Sequence, residues 1–359
     1  MINIRKTMQS KPWLLPTIIF SVLVILAANM HPLWGDEAET ALFARNILHY
    51  GVPKGWDGTN IMGINNAVVL NNNLINHTSP WAQYYITAAS FAIFGQTSFS
   101  ARLPFIILSI FSIPLLYFLV LKLSQSKKAA TLATIIAGVS VPYILFSYQD
   151  RYYALTSICG LLLAFSGLSI TQKSIKPKII FVIAAVLFFY GNYVSFAAFY
   201  ASLFIGLLIY KALRKEGWEN IKRFIVWYAL LTIPILAITT PWYLLLQPFA
   251  NRGQIVLSST KSISDLYDIA NEAFALYNNN NGFPKLLAAA LGITAIIKWR
   301  KKESLSPIAF FFLIPGIYLV IMSLFTQVSV VDTTFIAIRY TMVAFPFFLA
   351  SIAILIFEI

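Results

Sequence analysis

Stretches of roughly 17 to 21 apolar residues recur along this chain, the length that an α-helix needs to cross about 30 Å of hydrocarbon. Of the 359 residues, 59% are hydrophobic and only 11% are charged. An ordinary soluble domain is far less apolar than this. The pattern predicts an all-α fold, a polytopic transmembrane helical bundle that occupies residues 1–359 as a single domain.

The apolar stretches predict about ten membrane spans. They lie at residues 13–30, 103–121, 129–147, 153–170, 179–191, 194–210, 224–246, 283–298, 306–326 and 338–357. The first span follows a few basic residues, as in a signal peptide, but it is long for one and nine spans follow, which favours an uncleaved helix. The last span ends close to residue 359, which suggests a shortened form of a longer chain.

The basic residues decide the predicted orientation. The N-terminal segment, alternate short links between the spans and the last residues together carry 18 of the 26 lysines and arginines but only four acids. Under the positive-inside rule these links and the N-terminus are cytoplasmic. Residues 31–102 and 247–282 then form two large outer loops of a multi-pass plasma-membrane protein. Because the net charge of +13 is explained by topology, we expect no nucleic-acid partner.

Two segments are assigned by the same rule. Residues 179–210 are apolar almost throughout and have basic flanks, so the chain must cross twice there, with its tip at 190–193. Residues 80–94 are apolar enough for a span, but counting them would place the next basic link outside. We therefore expect an interfacial or re-entrant helix at 80–94.

Three acids open the first outer loop: Asp36, Glu37 and Glu39. The apolar positions that follow fit an amphipathic helix lying on the membrane. Asp36 as N-cap with Glu39 three residues later resembles a capping box, and acids suit a helix N-terminus. A carboxylate held there is also well placed for general-base catalysis. Both interpretations stay open on spacing alone.

Several short motifs in order carry a resemblance to a known family. They are Asp36-Glu37, Ala44-Arg45-Asn46-Ile47-Leu48, Gly51-Val52-Pro53, His77-Thr78-Ser79-Pro80-Trp81, Phe94-Gly95, Ala101-Arg102-Leu103-Pro104, Asp150-Arg151-Tyr152-Tyr153 and Arg339-Tyr340. With the predicted topology, this series resembles the GT-C membrane glycosyltransferases. It is most similar to the protein mannosyltransferases and lipid A aminoarabinose transferases.

The resemblance implies transfer of a sugar, with inversion, from a polyprenyl-phosphate donor to a protein, lipid or glycan acceptor on the extracytoplasmic side. It implies that Asp36 is the general base and that Glu37 positions donor or acceptor. A lipid-phosphate leaving group needs cationic stabilisation, for which the planar guanidinium is well suited. Arg151 and Arg339 are the candidates, and Arg102 either serves likewise or anchors the second span.

The resemblance also implies a catalytic role for Asp150 and substrate contacts for Tyr153. Arg151 is in addition the simplest neutralising partner for Asp150. The aminoarabinose transferases carry Lys-Pro-Pro where this chain has Thr78-Ser79-Pro80, so a basic phosphate contact is missing there. His77 is the candidate to replace it as a substrate-binding residue.

A divalent metal ion is a further alternative, because all three histidines lie in the first outer loop. They are His31, His49 and His77. Their spacings of 18 and 28 residues match no ligand motif, so no metal ligands are assigned.

Two other classes of function compete with a transferase. A transporter would place ionisable residues or broken helices near the bilayer midplane, whereas here the charged residues lie at the ends of the spans. A catalytically inactive scaffold with the same fold is the third interpretation. The sugar and the acceptor are not determined by the sequence.

Overall fold

The computed structural model describes residues 11–62, 69–247, 293–294, 297, 306–325 and 339–358. Within this part the regular secondary structure is α-helical, and the only strand-like pairs are isolated bridges in the loop 54–76. The helices are α1 Leu14–Met30, α2 Gly35–Tyr50, α3 Ala82–Phe94, α4 Ser98–Ser124, α5 Lys127–Val139, α6 Val141–Ser147, α7 Tyr153–Gly167, α8 Lys176–Gly191, α9 Tyr193–Leu213, α10 Trp218–Leu246, α11 Ser306–Phe325 and α12 Phe345–Glu358.

Several of these helices have the length and composition of membrane spans. α4, α9 and α10 qualify singly, and α1 with α2 and α5 with α6 qualify as bent pairs. α7 and most of α11 and α12 are shorter apolar helices. Nine of the ten predicted spans overlap a helix, while the tenth, 283–298, lies mostly outside the described residues. The polytopic helical bundle predicted from the sequence is confirmed.

The long apolar stretch 179–210 forms the predicted helical hairpin. α8 ends at Gly191, and α9 begins at Tyr193. Between them Asn192 is the N-cap of α9, and its Oδ1 accepts a hydrogen bond of 2.9 Å from the backbone N–H of Ser195. The cap satisfies a donor that has no partner within the helix. A single asparagine therefore separates two antiparallel helices.

The segment 80–94 forms a helix outside the spans, as predicted. α3 packs against α2, and α2 leaves α1 at an angle of 86°. Phe43 and Ile47 of α2 pack on Tyr84 and Phe91 of α3 in a small core separate from that of the bundle. α2 and α3 thus form a two-helix layer at one end of the bundle.

The centre of the bundle is α4, which packs against α1, α5 and α7. Its N-terminus is capped by Thr97, whose Oγ1 accepts a hydrogen bond of 3.1 Å from Ser100 N–H. Outward-facing side chains on α4 include Ile107 and Phe111, which are 45% and 60% exposed in the isolated chain. An apolar surface of this kind fits contact with lipid.

Each end of α4 carries a basic side chain, and the two side chains contact different parts of the bundle. Arg102, at its start, contacts the last turn of α1. Lys122, in its last turn, donates to Ser169 Oγ at 2.7 Å, beyond the end of α7. Lys122 belongs to the basic links predicted to be cytoplasmic. The acidic segment 36–39 and the basic links therefore lie at opposite ends of the bundle. Residues 248–282 of the second large loop lie outside the described residues.

Candidate active site

Asp36 and Glu37 project from the first turn of α2 in different directions. The helix begins at Gly35 with Trp34 as N-cap, and Glu37 Oε2 accepts the Trp34 N–H at 3.3 Å. The expectation that Asp36 is the N-cap and Glu39 its capping partner is wrong, because the helix starts two residues earlier than predicted. Since successive helical residues are about 100° apart around the axis, the two carboxylates enter different environments.

Glu37 forms a buried ion pair with Arg102. Arg102 Nε donates to Glu37 Oε1 at 2.8 Å and Nη2 donates to Oε2 at 2.6 Å, a two-pronged pairing of the kind arginine favours. The remaining guanidinium hydrogens go to the backbone carbonyls of Ala28, His31 and Pro32 at 2.6, 2.7 and 3.0 Å. Both charged side chains are almost completely buried.

Arg102 therefore anchors the corner between α1 and α2 from a third helix. All five of its N–H groups have acceptors within the protein, so it has no donor left for a phosphate. Of its two predicted roles, the structure supports the anchor. Glu37 also accepts the backbone N–H of Asp150 at 2.9 Å, so it is the centre of a buried polar network. Its predicted contact with substrate remains a prediction.

Asp36 lies at the surface of the same region and meets two arginines from distant parts of the chain. Arg339 Nη1 donates to Asp36 Oδ2 at 2.9 Å, and Arg151 Nη2 lies 3.5 Å from the same oxygen. The Asp36 side chain is 29% exposed. In the described part of the chain, Oδ1 of Asp36 has no hydrogen bond. One carboxylate oxygen is thus held by cations while the other is available.

Arg151 is held by the first turns of α2. Besides Asp36, its Nη1 lies 3.6 Å from Glu39 Oε2 and donates to Thr40 Oγ1 at 3.2 Å. Burial alone would lower the pKa of Arg151, but the charges of Glu39, Tyr153 and Asp36 raise it above its ordinary value. The Nε–H groups of Arg151 and Arg339 are buried and have no acceptor among the described residues.

Asp150 is completely buried and lies beside the Glu37 network. Its Oδ1 accepts a hydrogen bond of 2.5 Å from Thr87 Oγ1, while Oδ2 has no partner among the described residues. Burial raises the pKa of Asp150 well above the usual value for a carboxyl group, although the Thr87 hydrogen bond lowers it. The expected ion pair with Arg151 is not formed, because Arg151 turns toward α2.

The α3 helix positions the link that carries Asp150 and Arg151. Thr87 bonds Asp150, and Gln83, one turn earlier, accepts the Tyr152 N–H at 3.1 Å through its Oε1. Sequence analysis missed both residues. Their spacing of four places two polar side chains on one face of an apolar helix, which is the signal that could have identified them.

The other two predicted substrate residues lie deeper in the protein. Tyr153 begins α7, is 1% exposed and packs its ring 4.6 Å from that of Tyr152. Tyr153 lies within range of electrostatic interaction with Arg151, Arg339 and Asp36. His77 is mostly buried, and its Nδ1 donates to the carbonyl of Leu246 at 3.2 Å, at the end of α10. His77 thus joins the first loop to α10, and within the described residues it forms no hydrogen bond or ion pair with Asp36, Arg151 or Arg339.

The described residues contain no group of three or more His, Cys, Asp or Glu side chains placed to hold a metal ion. His31 bonds Arg102 through its backbone carbonyl, and His49 lies beside Tyr50 near the end of α2. The three histidines are therefore spread over the loop rather than gathered.

No family model matches this chain, and no curated protein matches its sequence. Solved structures do match its fold. ArnT from Cupriavidus metallidurans bound to undecaprenyl phosphate aligns with a TM-score of 0.61 at 16% identity, covering 95% of this chain and 59% of that one. The apo state of the same protein aligns with a TM-score of 0.59, also at 16% identity, covering 96% and 60%.

This chain has the fold of ArnT. The resemblance to the GT-C glycosyltransferases inferred from the motifs is therefore confirmed at the level of the fold. The match runs through nearly the whole of this chain, although the chain spans only about three fifths of the ArnT chains.

Proposed function

We propose that this chain is an inverting glycosyltransferase that moves a sugar from a polyprenyl-phosphate donor to an acceptor hydroxyl. The observation that carries the proposal is the meeting of Asp36, Arg151 and Arg339. These three residues come from separate parts of the chain and together place one accessible carboxylate oxygen beside two cations. A base and a cationic phosphate site are what this reaction requires.

In the proposed reaction Asp36 Oδ1 accepts the proton of the acceptor hydroxyl. The acceptor oxygen then forms a bond to the anomeric carbon from the side opposite the phosphate, and the bond from that carbon to the phosphate oxygen breaks. The electron pair leaves with the polyprenyl phosphate. Inversion follows because a single displacement takes place on one face. The contact of Asp36 Oδ2 with Arg339 would fix the orientation of the carboxylate.

Arg151 and Arg339 are proposed to bind the leaving phosphate. Each has a buried Nε–H without an acceptor among the described residues, and an anionic oxygen between them would satisfy these donors. Guanidinium groups held in place by protein contacts need little reorganisation when charge develops on the phosphate. One of the ArnT structures that share this fold was solved with bound undecaprenyl phosphate, a lipid phosphate of the class proposed here.

We place this site on the extracytoplasmic side, with the N-terminus cytoplasmic, in a multi-pass plasma-membrane protein. The proposal rests on the basic links at the opposite end of the bundle. Asp150 is buried and immediately precedes Arg151 in the chain. In this proposal it supports the site from the protein interior, without contacting the sugar.

Release of free polyprenyl phosphate tests the function. The purified protein in nanodiscs is given a set of undecaprenyl-phosphate sugars and an extract of envelope acceptors, and the free lipid phosphate is measured by mass spectrometry. We expect acceptor-dependent release from at least one donor. Arg151→Ala and Arg339→Ala should weaken the binding of undecaprenyl phosphate at least tenfold. Arg214→Ala, at the other end of the bundle, is the matched control.

Two results would contradict the proposal. One is undecaprenyl phosphate binding that is equal in the wild type and both arginine variants. The other is uptake of labelled solute into proteoliposomes without any lipid-phosphate release, which would establish a transporter instead.

A further inference from the structure

A depression of about 510 Å³ lies at the far end of α2 from Asp36. It is lined by Tyr50, Val52, Lys54, Asn72, Asn73, Leu74 and Ile75. The residues of the proposed transfer site take no part in it. At about 1.5 Å of rise per residue, Tyr50 lies about 21 Å along the helix from Asp36. The depression is therefore a separate feature of the first outer loop.

A tight turn forms one wall of this depression. Asn71 Oδ1 accepts the backbone N–H groups of Asn73 and Ile75, both at 3.0 Å. Leu74 adopts φ of +60°, a left-handed conformation that is uncommon for a bulky residue. The Leu74 carbonyl in turn accepts the Gly55 N–H at 2.6 Å. The turn is held by its neighbours in a conformation that has an energetic cost, and such strain is often found at ligand sites.

The turn presents polar side chains to the depression. Asn72 and Asn73 are exposed, and their side-chain amides have no hydrogen-bond partner within the described residues. Each amide offers donors and an acceptor, which is the combination that sugar hydroxyl groups need. Tyr50, another lining residue, is 40% exposed and supplies an aromatic ring.

The charge of the depression comes from Lys54. Its ammonium lies 4.9 Å from the centre of the Tyr50 ring. In the described part of the chain Lys54 has no carboxylate partner, whereas Arg45, on the same loop, is paired with Asp57 at 3.5 Å. A cation held against a ring and left without a counter-ion attracts an anionic ligand.

We propose that this depression is a binding subsite for an acidic saccharide segment of the acceptor. Asn72 and Asn73 would bind its hydroxyl groups, and Lys54 would bind its carboxylate or phosphate. This inference rests on the proposed transferase function for its meaning as an acceptor site. The separation from Asp36 implies an acceptor several sugar units long. It would lie along α2 with its reactive hydroxyl next to Asp36, the proposed general base.

Binding of a defined probe tests the subsite without any transfer reaction. Trigalacturonic acid is titrated into the purified protein in nanodiscs and followed by saturation-transfer NMR, with maltotriose as the neutral probe of equal length. We expect the acidic probe to bind at least tenfold more tightly than maltotriose. Lys54→Gln should remove this preference, and 0.5 M salt should weaken it. Arg45→Gln is the charge-matched control and should bind as the wild type does.

The possible outcomes separate this proposal from the transferase proposal. No binding of trigalacturonic acid, or equal binding by the wild type and Lys54→Gln, would overturn the acidic-saccharide subsite. Thermal unfolding and undecaprenyl phosphate binding of Lys54→Gln, both expected to match the wild type, exclude a folding defect. If the protein binds the saccharide but not the lipid phosphate, the subsite proposal is retained and the transferase proposal is rejected.

Discussion

Arg339 lies 303 positions after Asp36 in the chain, and its Nη1 is 2.9 Å from Asp36 Oδ2. The contact joins the first turn of α2 to the residues that precede the last described helix. It brings a fixed positive charge to a carboxylate that is still accessible at its other oxygen. The pair is thus the point at which the two ends of the described chain form a common site.

Asp36→Asn should abolish sugar transfer while preserving the fold. The amide has the same shape but cannot accept a proton, so the rate should fall by about 10²–10⁴-fold. Release of polyprenyl phosphate in the presence of acceptor measures the rate, and undecaprenyl phosphate binding should remain. Asp57→Asn, an exposed acid of the same loop, is the control. Transfer at the wild-type rate by Asp36→Asn would show that Asp36 is not the base.

Arg102→Ala should be one of the most destabilising substitutions in the described chain. It removes the charged partner of the buried Glu37 carboxylate and the donors to three backbone carbonyls, and breaking a buried pair in this way costs about 3–5 kcal/mol. Unfolding in mixed micelles measures the loss. Arg45→Ala removes a partly exposed ion pair and should cost less than about 1 kcal/mol. Similar stabilities of the two variants would refute the anchoring role of Arg102.

The raised pKa of Asp150 predicts a dependence of stability on pH. A carboxyl group whose pKa is higher in the folded state binds more protons when folded. Its contribution to the stability of the folded state is therefore greatest at pH values below its ordinary pKa of 3.8. The contribution is lost as pH rises through the folded pKa. Melting temperatures across the pH range should therefore fall more steeply toward high pH in the wild type than in Asp150→Asn. Parallel profiles would exclude Asp150 as the source.

Cysteine labelling should establish the orientation. The native Cys159 is buried, so it should give little background. A cysteine at Thr59 should react in intact cells with a reagent that does not cross the membrane. Another at Ser174, in a basic link, should react only after permeabilisation. The opposite pattern would reverse the orientation and place the Asp36 group in the cytoplasm.

The hairpin of α8 and α9 shows what could be predicted from the sequence. Basic residues flank an apolar stretch that is too long for one span, and these two facts already require a turn near Asn192. The charge of a link and the length of an apolar stretch are local properties of the sequence. Both can therefore be determined without knowledge of the tertiary structure. The same holds for the helix at 80–94, which the charge pattern excluded from the spans.

The partners of the acids could not be predicted in this way. Asp36 and Glu37 are neighbours in the sequence, and the start of α2 decides which of them enters the interior. Glu37, which enters, pairs with Arg102 on another helix. Arg151 had a carboxylate next to it in Asp150, yet it pairs with Asp36 and Glu39 because α3 holds Asp150 through Thr87. Such choices depend on tertiary packing.

The hydrogen bonds of Arg102 have a mechanical consequence. They connect the end of α1 and the beginning of α2 to a single residue of α4. The angle between α1 and α2 is therefore fixed relative to α4. A change in the tilt of α4 would be passed on to α2 and would move the Asp36 carboxylate relative to Arg339. Bilayer thickness, which sets the tilt of long membrane helices, thereby becomes a control on the geometry of the site.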